Sequence, residues 1–596
     1  MCGIVGYVGD GIVEKELIEK LKKLEYRGYD SSGILTVTKS KFEVTKCVGK
    51  IENLIETVSH YSNSCCGIGH TRWATHGKVS VNNAHPHISS TKLYGIVHNG
   101  IIENYSHLKQ EHLGNYNFYS ETDTEVIANL LEYNHKKSQI TDEVDVMNNI
   151  IDTCKMLKGS YALCICCSQF NNTVFIAKNK SPLFVTTNEK ESIIASDISC
   201  FDDKFNSFYE LKDGEFAIIN NNQCRFFNSN KKPVSKKPKI LSKTSLISIK
   251  DNNKSYMLNE IYEIPKVLEN IIHQYKNGKY FEKINKNFNK ILFIGCGTAF
   301  HACLIGEKYI NCFSDIETHS HIASEFNYEK KHIDKNTLCI FVSQSGETFD
   351  TLTAMKYAKS KHAITVALTN VEHSTLARQS KYVLPTFAGP EIAVASTKAY
   401  NAQLLILYLL ANYFFTNNYD YAIKSTQNHI KKVDIKKLSQ IIHLKDVITN
   451  SKNIFMLGKN FDYITSKEAT LKIKEITYLS VEAHPTGELK HGYIALIDTK
   501  SVVIIFNTSD KMLPRSLLAC SEIKARGGTT ILISTSSSKK SSLTNVDHLV
   551  KLPKTTDLLS PIFSIIPLQL LAEKISRSLG INPDKPKNLA KSVTVE

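Results

Sequence analysis

The chain of 596 residues is predicted to combine α/β and α+β domains, with a mixed first part followed by two doubly wound parallel α/β units. This length is too great for one hydrophobic core, so several domains are expected. An internal repeat occupies the second half of the chain, where apolar, strand-like segments recur in the same order. Helical segments separate these strands, which indicates parallel sheets buried on both faces.

The repeat pairs four strand-like segments of a first copy with four of a second. These are residues 290–295 with 453–458, 339–342 with 503–506, 365–369 with 530–534, and 382–385 with 550–553. A constant order at nearly constant spacing indicates a duplicated domain. Ligands of such sheets bind beyond the carboxyl ends of the strands, so the loop after 339–342 is the candidate binding loop.

That loop contains Ser343, Gln344, Ser345 and Thr348. Hydroxyls and free backbone N–H groups at the start of a helix form a phosphate site. A plain helix cap explains one of these residues, but less readily the whole group. The equivalent loop of the second copy contains Asp510, whose carboxylate would repel phosphate. One phosphate site per chain is therefore expected, in the first copy.

The first residues suggest a reactive cysteine, because Cys2 directly follows the initiator methionine. Removal of Met1 would leave Cys2 with a free α-amine, whose reference pKa is about 7.7–8.0. One residue would then supply both nucleophile and base. From position alone, a small residue at the start of a buried strand is the simpler interpretation.

Four polar residues farther along could hold an amino acid. Arg72 can pair with an α-carboxylate, and Asp123 can accept from an α-ammonium group. Asn99 and the N–H of Gly100 can form an oxyanion hole. Each has a simpler alternative, such as a hairpin turn at Asn99-Gly100 or a first-turn helix carboxylate at Asp123.

Five blocks of the first 225 residues resemble class II glutamine amidotransferase domains. They are residues 2–6, 24–31, 70–77, 98–104 and 121–125, in the family's order. The resemblance implies an N-terminal-nucleophile αββα sandwich with Cys2 as nucleophile and Asn99 and Gly100 as the oxyanion hole. The glutamine-binding residues that it implies are Arg72, Trp73, Thr75, His76 and Asp123.

The repeat resembles a pair of SIS (sugar isomerase) domains, through residues 295–298, 343–348 and 394–398 and the tail 588–596. The sugar-phosphate residues that this implies are Thr298, Ser343, Gln344, Ser345, Thr348, Val394 and Ser396. Ala299 departs from the serine usual in the family, and a lost hydrogen bond to a charged group is worth about 1.5–3 kcal/mol. Tyr493 replaces the usual proline after His491-Gly492.

Glu468, Lys472 and Glu475 are spaced to share one face of a predicted helix. From the residues alone, this is a solvent-exposed Glu–Lys pair worth about 0.2–0.5 kcal/mol. The resemblance implies instead that this face points into a sugar site. There Lys591 forms a Schiff base with the C2 carbonyl of the open ketose, Glu475 moves the proton between C1 and C2, Lys472 assists at the sugar hydroxyls, and His491 opens the ring.

Together, the resemblances imply transfer of the amide nitrogen of glutamine to fructose 6-phosphate, giving glucosamine 6-phosphate and glutamate, with no cofactor and no metal. They also imply an internal ammonia channel gated by Trp73. His491 would come from a neighbouring subunit, which implies a homodimer at least. The alternatives are an amidotransferase acting on a different ketose phosphate and a non-catalytic sugar-phosphate sensor.

Composition excludes several other classes. The net charge of +15 is Lys-rich and spread along the chain, and no nucleic-acid partner is expected. The longest apolar stretch, residues 404–415, is too short to span a bilayer of about 30 Å. The 15 cysteines are scattered and no signal peptide is visible, so a cytoplasmic protein is expected.

The expected domain boundaries follow from these patterns. A glutaminase domain is expected at 2–225, a linker or edge segment at 226–256, a first SIS domain at 257–430, a second at 431–580, and a C-terminal active-site tail at 581–596.

Overall fold

The computed structural model describes residues 2–25, 28–73, 77–240, 255–329, 332–372, 374–535 and 543–593. Contacts between Cα atoms divide them into two compact units. The described residues up to 240, together with 590–593, form the first unit, and residues 255–589 form the second.

The first unit contains two sheets, of eight and seven strands within its described residues, ordered β15-β11-β9-β10-β1-β4-β2-β3 and β14-β13-β12-β8-β7-β6-β5. The strands are β1 Gly3–Gly9, β2 Ser31–Thr38, β3 Lys41–Val48, β4 Cys66–Arg72, β5 His87–Ile88, β6 Tyr94–Ile102, β7 Gly159–Cys167, β8 Val174–Asn179, β9 Phe184–Thr187, β10 Glu191–Ala195, β11 Ser207–Glu210, β12 Glu215–Ile219, β13 Cys224–Asn228, β14 Pro233–Val234 and β15 Lys239–Ile240. The helices are α1 Val13–Leu24, α2 Ile51–Thr57, α3 Tyr105–His112, α4 Asp123–His135 and α5 Glu143–Met156.

The alternation of side chains along β1 explains how this unit is layered. Ile4 and Val8 lie in a core that also contains Val97 of the other sheet, so they face the space between the sheets. Val5 and Tyr7 point the other way and pack with α1. The opposite sheet is covered by α4 and α5. The predicted αββα sandwich is therefore confirmed.

Residues 226–240 are part of this sandwich. β13 pairs with β12 and β14, and β15 pairs with β11 at the edge of the larger sheet. The described part of the expected linker up to residue 240 thus forms edge strands, and residues 241–254 of it lie outside the described residues.

The second unit holds two parallel sheets of the same topology, ordered β17-β16-β18-β19-β20 and β22-β21-β23-β24-β25 over its described residues. The strands are β16 Lys290–Gly295, β17 Glu317–Ile322, β18 Thr337–Ser343, β19 Ile364–Thr369, β20 Tyr382–Pro385, β21 Asn453–Gly458, β22 Val481–Pro485, β23 Ser501–Asn507, β24 Thr529–Ser534 and β25 His548–Lys551. The helices are α6 Tyr256–Asn277, α7 Gly297–Phe313, α8 Phe349–Ser360, α9 Thr375–Gln379, α10 Lys398–Phe415, α11 Tyr419–Ile430, α12 Ile435–Leu438, α13 Lys445–Thr449, α14 Phe461–Thr477, α15 Leu513–Lys524, α16 Ser560–Ser564 and α17 Ile566–Ser578.

One hydrophobic core joins the two copies, since it contains side chains from β16 and β21 alike. The apolar stretch 404–415 is the larger part of α10, which is buried in this core. Among the described residues, no helix combines the length and apolar character that a membrane crossing requires.

Candidate active sites

The Cys2 side chain lies half-buried just before β1, beside the end of β4. The backbone N–H of Trp73 donates to the Cys2 sulfur at 3.3 Å, and the thiol lies 3.5 Å from the Trp73 carbonyl oxygen. Cys2 and Trp73 also line a pocket with about 280 Å³ of empty space, part of it continuous with solvent. A predicted nucleophile therefore lies at an accessible pocket.

Asn99 lies on β6 directly before Gly100, which lines this pocket, and it contacts Cys2. Its side-chain Nδ2 donates to the Cys2 carbonyl oxygen at 3.0 Å, and its Oδ1 lies 3.1 Å from Nε2 of His70. The amide N–H groups thus point towards the nucleophilic residue, as an oxyanion hole requires.

The alternative of a hairpin turn at Asn99-Gly100 is wrong, because β6 continues through both residues to Ile102. Gly100 pairs in register with Tyr161 of β7. The backbone φ of Gly100 is +137°, and a Cβ there would lie 2.0 Å from the Ser160 carbonyl oxygen. The glycine permits a local distortion within a strand, where the sequence pattern suggested a chain reversal.

Arg72 and Asp123 also line the pocket. Both are buried, and Asp123 Oδ2 accepts from the Ile102 backbone N–H at 2.8 Å. Burial lowers the pKa of Arg72, and the Cys2 and Asp30 side chains partly oppose this effect. The predicted glutamine ligands Thr75 and His76 lie outside the described residues.

A cluster of buried histidines, His70, His85, His87 and His98, adjoins the pocket, which His85 and His98 line, and was missed by sequence reasoning. The rings of His70 and His85 are 4.1 Å apart, and those of His85 and His87 are 4.8 Å apart. Burial lowers the pKa of His70 to about 3 and those of His85 and His87 well below the usual value. The three rings are therefore neutral at pH 7.

In the first SIS copy, the predicted phosphate loop connects β18 to α8, as expected. Ser343 Oγ accepts from the Gly346 N–H at 3.0 Å and lies 3.0 Å from Thr348 Oγ1. Thr348 is the N-cap of α8, but its side chain makes no capping bond. Ser345 Oγ accepts from the Glu347 N–H at 3.2 Å, and the Gln344 carbonyl accepts from the Asn370 N–H. The loop thus gathers hydroxyls at a helix N-terminus, where an anion is stabilised.

The second copy has a carboxylate in the corresponding place. Asp462 is buried in α14 and accepts from the backbone N–H and the hydroxyl of Thr508, at 2.8 and 2.7 Å. Burial raises its pKa to about 6. Asp510, which the sequence suggested as the repelling group, is exposed and pairs with Lys554 at 3.3 Å. In the repeat alignment, Asp462 corresponds to Ala299.

The predicted face of α14 is buried and lies against the first copy. Lys472 Nζ lies 2.6 Å from Glu475 and 3.5 Å from Glu468, and it donates to Thr298 Oγ1 at 3.0 Å. Glu468 also accepts from Thr298 at 3.0 Å and lies 2.7 Å from His301 Nδ1. The side chain of Lys472 is only 1% exposed and that of Glu468 is 0% exposed. The alternative of a solvent-exposed Glu–Lys pair is therefore wrong.

Burial favours the neutral amine of Lys472, but Glu475 and Glu468 together more than offset this effect and raise its pKa. The lysine is therefore a cation at pH 7, held between two carboxylates. Glu475 is the more exposed carboxylate, with 21% of its side chain accessible.

The segment 394–398 leads into α10. Ser396 Oγ donates to Glu391 at 2.9 Å, and the Val394 N–H donates to the Asp584 carbonyl at 3.0 Å. These contacts fix the segment, and they do not join either residue to the phosphate loop.

The other two residues predicted for the sugar site are His491 and Lys591. His491 follows the 3₁₀ helix Thr486–Lys490 and is exposed, and among the described residues no side-chain hydrogen bond ties it to Lys472 or Glu475. Lys591 is half-buried and groups with the first unit. Tyr493 stacks on His484, with the ring centroids 3.5 Å apart.

A cysteine beside a pocket at the start of an N-terminal-nucleophile sandwich, followed by a duplicated parallel α/β fold with a hydroxyl-rich loop, is the arrangement expected of a glutamine amidotransferase of sugar phosphates. Comparison with known proteins agrees with this class. The glutamine amidotransferase domain model matches residues 70–203, and the SIS domain model matches residues 285–413 and 447–574.

Named relatives specify the family. The glutamine–fructose-6-phosphate aminotransferases [isomerizing] of Clostridium tetani, Caldanaerobacter subterraneus and Bacillus subtilis are 38%, 39% and 38% identical, each over 100% of both chains. The solved C-terminal domain of the Francisella tularensis glucosamine-fructose-6-phosphate aminotransferase is 30% identical and covers 56% of this chain and 99% of its own, with a TM-score of 0.50. The chain belongs to the glutamine–fructose-6-phosphate aminotransferase (isomerizing) family.

Proposed function

We propose that the chain transfers the amide nitrogen of glutamine to fructose 6-phosphate and isomerises the product, giving glucosamine 6-phosphate and glutamate. The observation that carries this proposal is the presence, in one chain, of the Cys2 pocket and of a phosphate loop in the unit that holds the Lys472–Glu475 pair. The names of its full-length relatives state the same reaction.

In the first half-reaction, the Cys2 thiolate attacks the side-chain amide carbon of glutamine. The α-amine that Met1 removal exposes takes the thiol proton and passes it to the departing ammonia. Asn99 and the Gly100 N–H stabilise the oxyanion, and water then releases glutamate from the thioester. Arg72 and Asp123 pair with the α-carboxylate and α-ammonium groups, and Trp73, Thr75 and His76 complete the glutamine site.

In the second half-reaction, the phosphate binds the loop 343–348, with Thr298, Val394 and Ser396 placing the sugar. His491 opens the ring, and the Lys591 amine condenses with the C2 carbonyl, releasing water. Ammonia then displaces the lysine from the imine. Glu475 removes a proton from C1 and returns one at C2, which converts the ketose skeleton to the amino aldose.

Lys472 supports this step from inside the fold. Its buried ammonium lies 2.6 Å from Glu475, so it can hold the carboxylate in place and stabilise charge that develops at the sugar hydroxyls. Thr298 shares a hydrogen bond with the same ammonium and is thereby fixed at the start of α7.

We also infer a homodimer or larger homo-oligomer and a cytoplasmic location. The exposed position of His491 supports the first inference, because a neighbouring subunit could use it. All 15 cysteines are free thiols, which fits a reducing compartment.

The direct test measures glutamate release with and without fructose 6-phosphate, together with the sugar products. We expect release to rise with the sugar and glucosamine 6-phosphate to form in equal amount. Cys2→Ala should abolish glutamine hydrolysis and leave slow sugar isomerisation. The control Cys65→Ala changes an exposed thiol beside Gly9, at the opposite end of β1 from Cys2, and should act like the parent. Hydrolysis by Cys2→Ala at the parent rate would refute the nucleophile assignment. Sugar phosphate binding without turnover by the parent would indicate a sensor.

A further inference from the structure

His70 is a fully buried histidine of β4 that lies against Asn99. Its Nε2 is 3.1 Å from Asn99 Oδ1 and 3.1 Å from the His98 carbonyl oxygen. Its Nδ1 is buried and has no hydrogen-bond partner among the described residues.

The partners determine which atoms carry hydrogen. The Cys2 carbonyl oxygen can only accept, so the group of Asn99 that faces it at 3.0 Å must be the NH₂. The Asn99 oxygen then faces His70. Because the His98 carbonyl also only accepts, Nε2 of His70 must carry the ring proton, and Nδ1 is the bare nitrogen.

We infer that His70 is a positioning residue for glutamine hydrolysis: by donating from Nε2 to Asn99 Oδ1, it keeps the Asn99 NH₂ group turned towards the reacting carbonyl. Without this donor, only the Cys2 carbonyl oxygen holds the Asn99 amide in this orientation, and an amide that turns over presents its oxygen to the developing oxyanion and repels it. This inference rests on the proposed hydrolysis at Cys2.

The surroundings keep His70 in the required state. The His85 ring packs 4.1 Å away, Arg72 lies close enough to oppose a second positive charge, and burial lowers the pKa of His70 to about 3. A neutral imidazole with one fixed tautomer has a single N–H donor. The fold fixes the ring and therefore the direction in which this N–H points.

A matched pair of substitutions tests the donor. A glutamine side chain places its amide nitrogen near the position of Nε2, whereas an asparagine reaches only as far as Nδ1. We expect His70→Asn to lower kcat for glutamine hydrolysis about 10²-fold with little change in KM, the effect of losing one oxyanion-hole donor. His70→Gln should stay within about tenfold of the parent. In an Asn99→Ala background, His70→Asn should cause no further loss, because the two residues act as one unit.

The control is His135→Asn, which removes another hydrogen-bonded histidine of the same unit, bonded to Tyr94 and outside the pocket. It should leave kcat unchanged. Alkylation of Cys2 by a glutamine-like chloromethyl ketone verifies that each variant has an intact pocket.

Several results would overturn the inference: an unchanged kcat in His70→Asn, a full additional loss in the Asn99→Ala background, or a large fall of kcat in a His70→Gln variant that is still alkylated. If His70→Asn is not alkylated, its pocket is not intact, and kcat of His70→Gln then decides whether the inference holds. A parent enzyme that hydrolyses no glutamine would instead refute the proposed function itself.

Discussion

Each proposed site depends on one glycine whose backbone conformation excludes other residues. Gly100 in β6 and Gly346 in the phosphate loop have φ values of +137° and +64°. A Cβ on Gly100 would lie 2.0 Å from a backbone oxygen, and one on Gly346 would lie 2.0 Å from Ser374 Oγ. In both places the glycine lets the backbone turn its N–H groups while neighbouring chain stays close.

Gly100→Ala should therefore damage the first site. We expect the strained backbone and the clash with Ser160 to destabilise the first unit by about 1–3 kcal/mol, and displacement of the Gly100 N–H to lower kcat for glutamine hydrolysis about 10²-fold. Urea unfolding followed by the fluorescence of Trp73, the only tryptophan of the chain, measures the first effect.

The control is Gly114→Ala, because an added Cβ at Gly114 has no atom within 4 Å. It should change the unfolding free energy by less than about 0.5 kcal/mol. Parent-like stability and kcat in Gly100→Ala would show that the strand tolerates a side chain there.

Among the secondary-structure elements, α14 shows that the energetic role of a spaced set of charged residues depends on whether they are buried. The spacing of Glu468, Lys472 and Glu475 indicates one shared face, but spacing does not reveal whether that face is exposed to solvent or buried. The structure places Lys472 between the two carboxylates and against α7 of the other copy. Removing one member of a buried charged group leaves the others uncompensated, which is costly.

Lys472→Met should thus destabilise the second unit by about 3–5 kcal/mol, since Glu468 and Glu475 would face each other without a cation. Sugar isomerisation should be lost as well. The control Lys474→Met changes an exposed lysine of the same helix and should cost less than about 0.5 kcal/mol. Urea unfolding followed by circular dichroism compares the two, and equal stability of both variants would contradict the buried network.

A secondary-structure element was predictable from the sequence where its residue pattern had a single physical cause. The duplicated apolar strands were predicted because a parallel sheet covered on both faces requires them. The edge strands β17 and β22 were not, because only one residue of each is buried and polar residues interrupt both sequences.

The site residues also fall into those that were predicted from the sequence and those that were not. The phosphate loop was predicted from local chemistry, and family resemblance supplied Cys2, Asn99 and Gly100. The His70–Asn99 bond was not predictable, because it joins β4 and β6, which belong to two different sheets that meet only in the folded unit. Asp462 was missed for a related reason, since its partner Thr508 lies on a different strand end.

At the scale of the whole molecule, buried ionisable groups make the stability of the first unit depend on pH. The first unit contains the neutral histidines His70, His85 and His87, whose pKa values are lowered by burial. In the unfolded chain each would titrate near the ordinary value of about 6.5. Below that pH the unfolded state binds more protons than the folded state, so the stability of this unit falls as the pH falls.

We expect these three histidines to reduce the stability of the first unit by about 3 kcal/mol per pH unit on average between pH 6.5 and pH 5, about 1.1 kcal/mol for each. Trp73 fluorescence during urea unfolding at several pH values measures this slope. His87→Gln should lower the slope by about one third, because one of the three titrating groups is gone. A flat profile above pH 5 would show that these rings are protonated in the folded unit.

The Asp462 carboxylate, bonded to Thr508, makes the two halves of the duplicated fold differ in what stabilises them. In the second copy the anion is the Asp462 carboxylate, which is part of the polypeptide. The N–H and hydroxyl of Thr508 therefore have a hydrogen-bond partner whether or not metabolites are present. The first copy has Ala299 at the matching position, and in the proposed function the phosphate of the substrate supplies the anion there. By thermodynamic linkage, sugar phosphate bound at the proposed loop stabilises the folded second unit as a whole, although the new bonds form in the first copy only.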